Sequence, residues 1–181
     1  MNKTAVGRYM TRVLRHEPSA GFLEVDEHGW ANVDELIDAI RKVKEPAFDR
    51  AALDDVVATD NKQRFSYSED GKLIRANQGH SIPVDVELPV TEPPEYLLHG
   101  TGAKFTESID RTGLDRRSRL YVHLSSDIET ARAVGIRHGT PVIYRVKSGE
   151  MARDGFTFYR SVNGVWLVES VPVKYLEKLD V

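Results

Sequence analysis

An arginine and a histidine stand side by side at Arg15-His16, in a stretch of sequence with no acidic residue before them. A guanidinium matches the geometry of a phosphate group, and an imidazole can take up or release a proton near neutral pH. Taken alone, such a pair is more typical of a helix C-terminus, where positive charge complements the helix dipole. The pair therefore indicates chemistry only in combination with other segments.

Two further segments offer polar groups beside glycine. The loop Asn77-Gln78-Gly79-His80-Ser81 carries many hydrogen-bond donors and has little to bury, so it is either a solvated loop or a ligand loop. His99-Gly100-Thr101 follows an apolar, strand-like stretch. Small residues at a strand end let a ligand approach the backbone, and the imidazole and hydroxyl can bind ribose hydroxyls. As a lone tripeptide this is a weak indication.

The composition indicates a globular protein and limits its chemistry. Of 181 residues, 40% are hydrophobic and 29% charged, and there is no cysteine, which excludes disulfides and thiolate metal sites. No HExxH motif or other metal-ligand spacing occurs, so we expect no metal. No segment is apolar and long enough for a signal peptide or a membrane span, so we expect a soluble, cytoplasmic protein. No interface pattern is visible, so we expect a monomer.

The net charge of −3 conceals two basic zones. Residues 1–16 carry four basic and no acidic side chains, and residues 111–147 carry eight basic against three acidic ones. Such local zones on a mildly acidic chain favour a small polyanion site over a long nucleic-acid track. Solvated helix faces would explain the charge pattern equally well.

The elements that would position Arg15-His16 and the loop at 77–81 form a first lobe, which we predict over residues 1–85. Apolar residues between Val6 and Leu14 recur at helical spacing, which predicts a helix ending near Arg15-His16. Residues 23–30 are predicted as a strand and turn, and 34–43 and 50–58 as helices. A hairpin wing follows, with strands at 64–68 and 73–75 around a turn at 69–71. Helices followed by a wing predict a winged-helix-like lobe.

A proline-rich stretch separates this lobe from the next. Residues 83–94 contain four prolines and cannot continue a helix, so we predict an extended linker over 86–94. The second lobe, 95–181, has short strand-like segments at 96–98, 120–124, 141–146, 156–159 and 165–168, and helices at 105–112 and 128–138. We therefore predict an α+β protein with a mixed-sheet second lobe. Trp30 and Trp166 lie in apolar contexts and are predicted as packing residues.

Eight motifs in one order give the chain a specific resemblance. They are Leu14-Arg-His-Glu-Pro18, Gly29-Trp30, Lys62-Gln-Arg-Phe-Ser-Tyr67, Ile74-Arg-Ala-Asn-Gln-Gly-His-Ser81, His99-Gly-Thr101, Val122-His-Leu-Ser125, Val134-Gly-Ile-Arg-His-Gly139 and Asn163-Gly-Val-Trp166. In residue identity and order they resemble the RNA 2′-phosphotransferases of bacteria, archaea and fungi, which complete tRNA splicing in yeast. The resemblance runs from about Val6 to Leu176.

The resemblance implies a winged-helix RNA-facing lobe and an NAD-binding lobe of the ADP-ribosyltransferase type. It also implies the site residues. The catalytic set would be Arg15, His16, Arg64 and Arg119, with Arg116 and Arg117 close enough to leave the last position open. The RNA-binding residues would be Arg75, Asn77, Gln78, His80 and Ser81. The NAD-binding residues would be His99, Gly100, Thr101, Ser125 and Asp127.

The reaction that the resemblance implies consumes NAD⁺ and an RNA bearing an internal 2′-phosphate. The RNA phosphate attacks the nicotinamide ribose, giving an ADP-ribosylated RNA intermediate and nicotinamide. The ribose then takes the phosphate, which yields 2′-OH RNA and ADP-ribose 1″,2″-cyclic phosphate. Two alternatives are an ADP-ribosyltransferase that stops after the first step and a noncatalytic winged-helix nucleic-acid binder. The acidic helix at 34–43 makes the second alternative a poor fit.

Overall fold

The first helix, α1 (Lys3–Arg15), carries the Arg15-His16 pair at its C-terminal end. The side chain of Asn2 caps its start by accepting a hydrogen bond from the Ala5 N–H at 3.1 Å. The predicted stripe is buried, from Val6 at 2% exposure to Leu14 at 0%. The helix ends where the sequence predicted, and its buried stripe fixes which way Arg15 projects.

Two further helices complete the core around α1. They are α2 (Val33–Val43), capped by the Asn32 side chain, and α3 (Arg50–Ala58), capped by the Asp49 side chain. The structure confirms the predicted positions of both helices. Each forms there because it has both a side-chain cap and an apolar stripe. Leu36, Ile40 and Leu53 have no exposed surface and pack in one cluster with the stripe of α1.

A small antiparallel sheet follows, formed by β1 (Ala31–Asn32), β2 (Phe65–Tyr67) and β3 (Leu73–Ala76) in the order β1-β3-β2. The predicted hairpin is confirmed, with its turn at Ser68–Gly71. The strand predicted within 23–30 is wrong, because Val25 forms only a single bridge with Ala31. The Asp26 carboxylate accepts hydrogen bonds from the backbone of His28 and Trp30 and closes a turn there instead.

The structure, a computed structural model, describes residues 1–180, and the chain divides into two compact units between Glu87 and Leu88. Of the segment predicted as a linker, Val90 and Thr91 bond to the backbone of the second unit at Tyr159 and Phe158. The overall class is α+β, with small antiparallel sheets.

The second unit contains two three-stranded antiparallel sheets. One has the order β11-β7-β4 and the other the order β6-β9-β8. The strands are β4 (Leu97–Gly102), β5 (Leu114–Asp115), β6 (Val122–Leu124), β7 (Pro141–Val146), β8 (Phe158–Arg160), β9 (Trp166–Val168), β10 (Ser170–Val171) and β11 (Leu176–Leu179), with β5 pairing β10. The helices are α4 (Thr106–Thr112), α5 (Ile128–Ile136) and α6 (Ser148–Arg153). Trp166 packs in the core at 6% exposure, as predicted.

Helix α5 lies directly on strand β4. A Cβ atom at Gly100 would overlap the carbonyl oxygen of Ala131, and one at Gly102 would overlap that of His138. Gly100 is therefore needed for the approach of α5 and Gly102 for that of the turn after it, while ligand approach at Gly100 stays a prediction.

Candidate functional site

The Arg15-His16 pair and the loop at 77–81 come together in the first unit. The Ser81 Oγ lies 2.9 Å from His16 Nδ1, and the Ser81 backbone N–H donates to the Arg15 carbonyl at 3.0 Å. The loop is thus bonded to both members of the pair. Two segments that the sequence separates widely form one candidate phosphate site.

Gly79 brings this loop onto the Arg15 guanidinium. Its φ of +90° lies in the left-handed region, and a Cβ atom there would stand 3.2 Å from Arg15 Cζ. Only glycine meets both conditions without strain. Arg15 itself is 8% exposed, so the loop and the helix together hold its side chain in one place.

Asn77 and His80, predicted to contact RNA, turn their side chains inward. Their exposures are 4% and 1%. The Asn77 side chain donates to the Gln63 carbonyl and accepts from Ser66 Oγ, each at 2.7 Å. These side chains therefore support the loop, whereas Ser81 is exposed and Gln78 half-buried. RNA contact by Asn77 and His80 stays a prediction, and burial of both side chains gives them a structural role in the loop at 77–81.

The imidazole of His80 is uncharged at neutral pH. Burial, together with the positive charges of Arg15, His16 and Arg75, lowers the pKa of His80 to about 4. Its Nε2 atom is buried and has no hydrogen-bond partner within residues 1–180. A neutral ring at this position adds no positive charge to the cations around it.

Arg64 stands immediately before β2 and is anchored by an acid that the sequence analysis missed. Its guanidinium donates to Asp60 Oδ1 at 2.6 Å, and its backbone N–H donates to Asp60 Oδ2 at 2.7 Å. The Arg64 carbonyl accepts from the Asn77 N–H at 2.8 Å, which ties Arg64 to the loop. Asp60 and Arg64 are four residues apart, and this spacing is the signal in the sequence that could have predicted their ion pair.

Arg75 is held by groups of its own unit. Its guanidinium lies 4.3 Å from the centre of the Trp30 ring and donates to the His28 carbonyl and to Glu87, each at 3.2 Å. Trp30 is half-buried and packs against Arg75, in line with the packing role predicted for it.

In the second unit, His99 is fixed in one tautomer. Its Nδ1 atom lies 3.0 Å from the carbonyl oxygen of His123, which can only accept, so Nδ1 carries the hydrogen. Burial lowers the pKa of His99, and nearby positive charge acts in the same direction. The neutral ring therefore presents Nε2 as an acceptor, which suits a hydroxyl donor such as a ribose. This contact of the His123 carbonyl has no signal in the sequence.

The other predicted NAD-binding residues are positioned by backbone pairing and capping. Ser125 and Leu98 exchange two backbone hydrogen bonds of 2.8 Å, and Thr101 is buried at 5% exposure. The Asp127 carboxylate accepts from the backbone N–H of Thr130 at 2.8 Å and from its hydroxyl at 2.9 Å. Asp127 thus caps α5, so this carboxylate already has a structural role.

Positive charge gathers around His99. The pKa of His99 is lowered in part by the charges of His138, Arg117 and Arg119. Arg119 is exposed, yet partial desolvation and the charge of Arg137 lower its pKa as well. Such a field favours an anion beside a hydroxyl-bearing ligand.

Within residues 1–180, no helix is both long and apolar enough to cross a membrane.

Comparison with known proteins finds relatives in one family. The family model described as RNA 2′-phosphotransferase, Tpt1 / KptA family, matches residues 1–170. A probable RNA 2′-phosphotransferase of Flavobacterium johnsoniae is 52% identical over 173 residues, which cover 96% of this chain and 94% of that protein. One of Nostoc punctiforme is 49% identical over 174 residues, which cover 96% of each. One of Escherichia coli SE11 is 48% identical over 171 residues, which cover 94% of this chain and 92% of that protein.

Proposed function

The chain belongs to the RNA 2′-phosphotransferase, Tpt1 / KptA family, and from this membership we propose that it transfers an RNA 2′-phosphate to NAD⁺. The products would be 2′-OH RNA, nicotinamide and ADP-ribose 1″,2″-cyclic phosphate. One structural observation carries the proposal furthest, namely that the loop at 77–81 bonds to both Arg15 and His16. A phosphate-binding group and a proton-transferring group are thereby held side by side.

The first unit would engage the RNA 2′-phosphate. Guanidinium groups stay charged and match phosphate in shape, which supports Arg15 and Arg64 as its ligands. Both are held by the protein before substrate arrives, Arg15 by the Gly79 loop and Arg64 by Asp60. Preorganised charge of this kind is the usual means of stabilising a phosphoryl transition state.

The second unit would bind NAD⁺ as a co-substrate. The His99 Nε2 acceptor fits a ribose hydroxyl, and the cations around it fit the pyrophosphate. NAD⁺ supplies an electrophilic C1″ with nicotinamide as a ready leaving group. Binding in one fixed pose would supply much of the rate, because orientation alone is worth several kcal/mol.

Two displacements would complete the transfer. In the first, an oxygen of the RNA 2′-phosphate forms a bond to C1″ and the bond to nicotinamide breaks, so nicotinamide leaves with the electron pair. In the second, ribose O2″ attacks phosphorus and the bond to the RNA 2′-oxygen breaks. The proton of O2″ is lost and the RNA oxygen gains one, and His16 would mediate that exchange. Arg119 is the remaining residue that the resemblance assigns to the reaction, and its guanidinium would stabilise negative charge on a phosphoryl group.

A test of the proposal combines the purified protein, NAD⁺ and a short RNA with one internal 2′-phosphate. We expect nicotinamide release in step with loss of the RNA phosphate. Nicotinamide release with the phosphate retained would favour the transferase that stops after the first step. An intact NAD⁺ pool would reject the proposal.

A further inference from the structure

Two cationic side chains and a histidine surround one aromatic ring in the second unit. Arg117 Cζ lies 4.9 Å and Lys104 Nζ 5.0 Å from the centre of the Phe105 ring, and the His138 ring packs edge-on at 6.1 Å. We call these four residues the Phe105 cluster. Phe105 is half-buried, while Lys104, Arg117 and His138 are exposed.

The cluster is not neutralised by the protein. Within residues 1–180, neither Lys104 nor Arg117 forms an ion pair with a carboxylate, although twelve ion pairs join other groups. The adjacent Asp115 accepts from the Arg117 backbone N–H at 2.8 Å and not from its guanidinium. Like charges held together without a counter-charge repel one another, so an anion would relieve the repulsion.

The backbone adds a second, independent indication. Arg117 has φ of +51°, in the left-handed region that disfavours a side chain. Glycine would be unstrained at this exposed position. The presence of an arginine there therefore indicates that its guanidinium has a use. In this conformation the exposed guanidinium lies over the Phe105 ring, and a guanidinium can bind a phosphate through two parallel hydrogen bonds.

The cluster adjoins the residues proposed to bind NAD⁺, because Arg117 and His138 are close enough to lower the pKa of His99. Lys104 and Phe105 follow β4, which carries His99 and Thr101, and Arg117 stands two residues before Arg119. We propose that the Phe105 cluster is an additional phosphate-binding subsite, with Arg117 as its main ligand and Lys104 in support. The assignment of its ligand rests on the proposed function: it is a backbone phosphodiester of the RNA or the pyrophosphate of NAD⁺.

The test uses direct binding, which needs no turnover. Dissociation constants of the full-length protein are measured for NAD⁺ and, separately, for a 2′-phosphorylated RNA oligonucleotide over a range of salt concentrations. The variants are Arg117→Gly, which relieves the left-handed strain, and Arg117→Gln. The matched control is Arg132→Gln on α5, an exposed arginine with no ion pair within the described residues. Thermal melting of each variant reports the fold.

We expect Arg117→Gly to melt no lower than wild type but to weaken one of the two ligands about fivefold, as loss of one charge-assisted contact implies. If RNA is that ligand, the slope of log affinity against log salt falls by about one. Weakened RNA binding identifies a backbone phosphate, and weakened NAD⁺ binding identifies the pyrophosphate. Unchanged binding of both ligands, or an equal loss in Arg132→Gln, would overturn the proposal. Intact binding without phosphate transfer by wild type would instead reject the proposed function.

Discussion

The Ser81 hydroxyl lies 2.9 Å from Nδ1 of His16, across 65 positions of sequence. This contact ties the loop at 77–81 to the imidazole proposed to exchange the proton of the second step. A histidine orients its second nitrogen through the hydrogen bond made by the first. Ser81 is therefore a positioning residue for His16.

Removal of the Ser81 hydroxyl should impair turnover more than folding. We expect Ser81→Ala to lower kcat about tenfold, the equivalent of one lost hydrogen bond of about 1.4 kcal/mol. Because the Ser81 side chain is exposed, the substitution should change the melting temperature little. Ser81→Thr keeps the hydroxyl and is the control. Equal rates for Ser81→Ala and wild type would show that His16 needs no such support.

A methyl group at Gly79 should displace Arg15. Gly79→Ala combines a left-handed φ with a contact of 3.2 Å to the guanidinium, so we expect a loss of stability of about 1–2 kcal/mol and a larger loss of activity. Gly7→Ala is the matched control, because Gly7 lies within α1 with nothing within 4 Å of its added methyl. That control should gain about 0.5–1 kcal/mol. Urea unfolding and phosphate-transfer rates measure both effects, and an active, stable Gly79→Ala would refute the assignment.

Asp60 should matter through Arg64. Asp60→Asn removes the charge that holds the guanidinium while keeping an acceptor for the Arg64 backbone N–H. We expect stability to fall by about 1 kcal/mol and RNA binding to weaken, because Arg64 loses its fixed position. The control, Asp38→Asn, breaks an exposed pair with Arg41 and should change little. If Asp60→Asn binds RNA as tightly as wild type, Asp60 has no role in the site.

His80 should make the protein acid-sensitive. Its pKa is lowered from 6.5 in the unfolded chain to about 4 in the folded one. The unfolded chain therefore binds a proton first, and stability present above pH 6.5 is lost as the pH falls toward 4. The shift corresponds to roughly 3 kcal/mol. His80→Phe, which keeps an aromatic ring next to Gly29, should lose this part of the pH dependence. Identical pH profiles of unfolding free energy in the two proteins would contradict the assignment.

His99 should act on NAD⁺ alone. His99→Asn keeps a donor for the His123 carbonyl but removes the Nε2 acceptor. We expect KM for NAD⁺ to rise about tenfold, as loss of one buried hydrogen bond implies, with RNA affinity unchanged. Isothermal titration with each substrate separates the two effects. Unchanged NAD⁺ affinity would remove His99 from the NAD⁺ site.

The sequence predicted best those elements whose signals are local. Helices α1, α2 and α3 each show an apolar stripe at helical spacing, and the hairpin turn carries Gly71. Short elements were missed. Helix α6 spans six residues and β11 four, lengths over which periodicity is not decisive.

Long-range contacts explain the rest of the difference. Residue types alone indicated a polar loop at 77–81, but not that Asn77 and His80 would face inward while Ser81 met His16. Likewise, the sequence did not indicate that the missing side chain of Gly100 admits α5. Such roles depend on which segments meet in space, and spacing along the chain does not encode that.

The proposed transfer is tested most directly by following the phosphate itself. An RNA carrying a ³²P-labelled internal 2′-phosphate is incubated with the protein and NAD⁺, and the labelled products are separated. We predict that the label passes to ADP-ribose 1″,2″-cyclic phosphate, with one nicotinamide released for each phosphate moved. Label that stays on the RNA, or that leaves as inorganic phosphate with NAD⁺ intact, would contradict the proposed function.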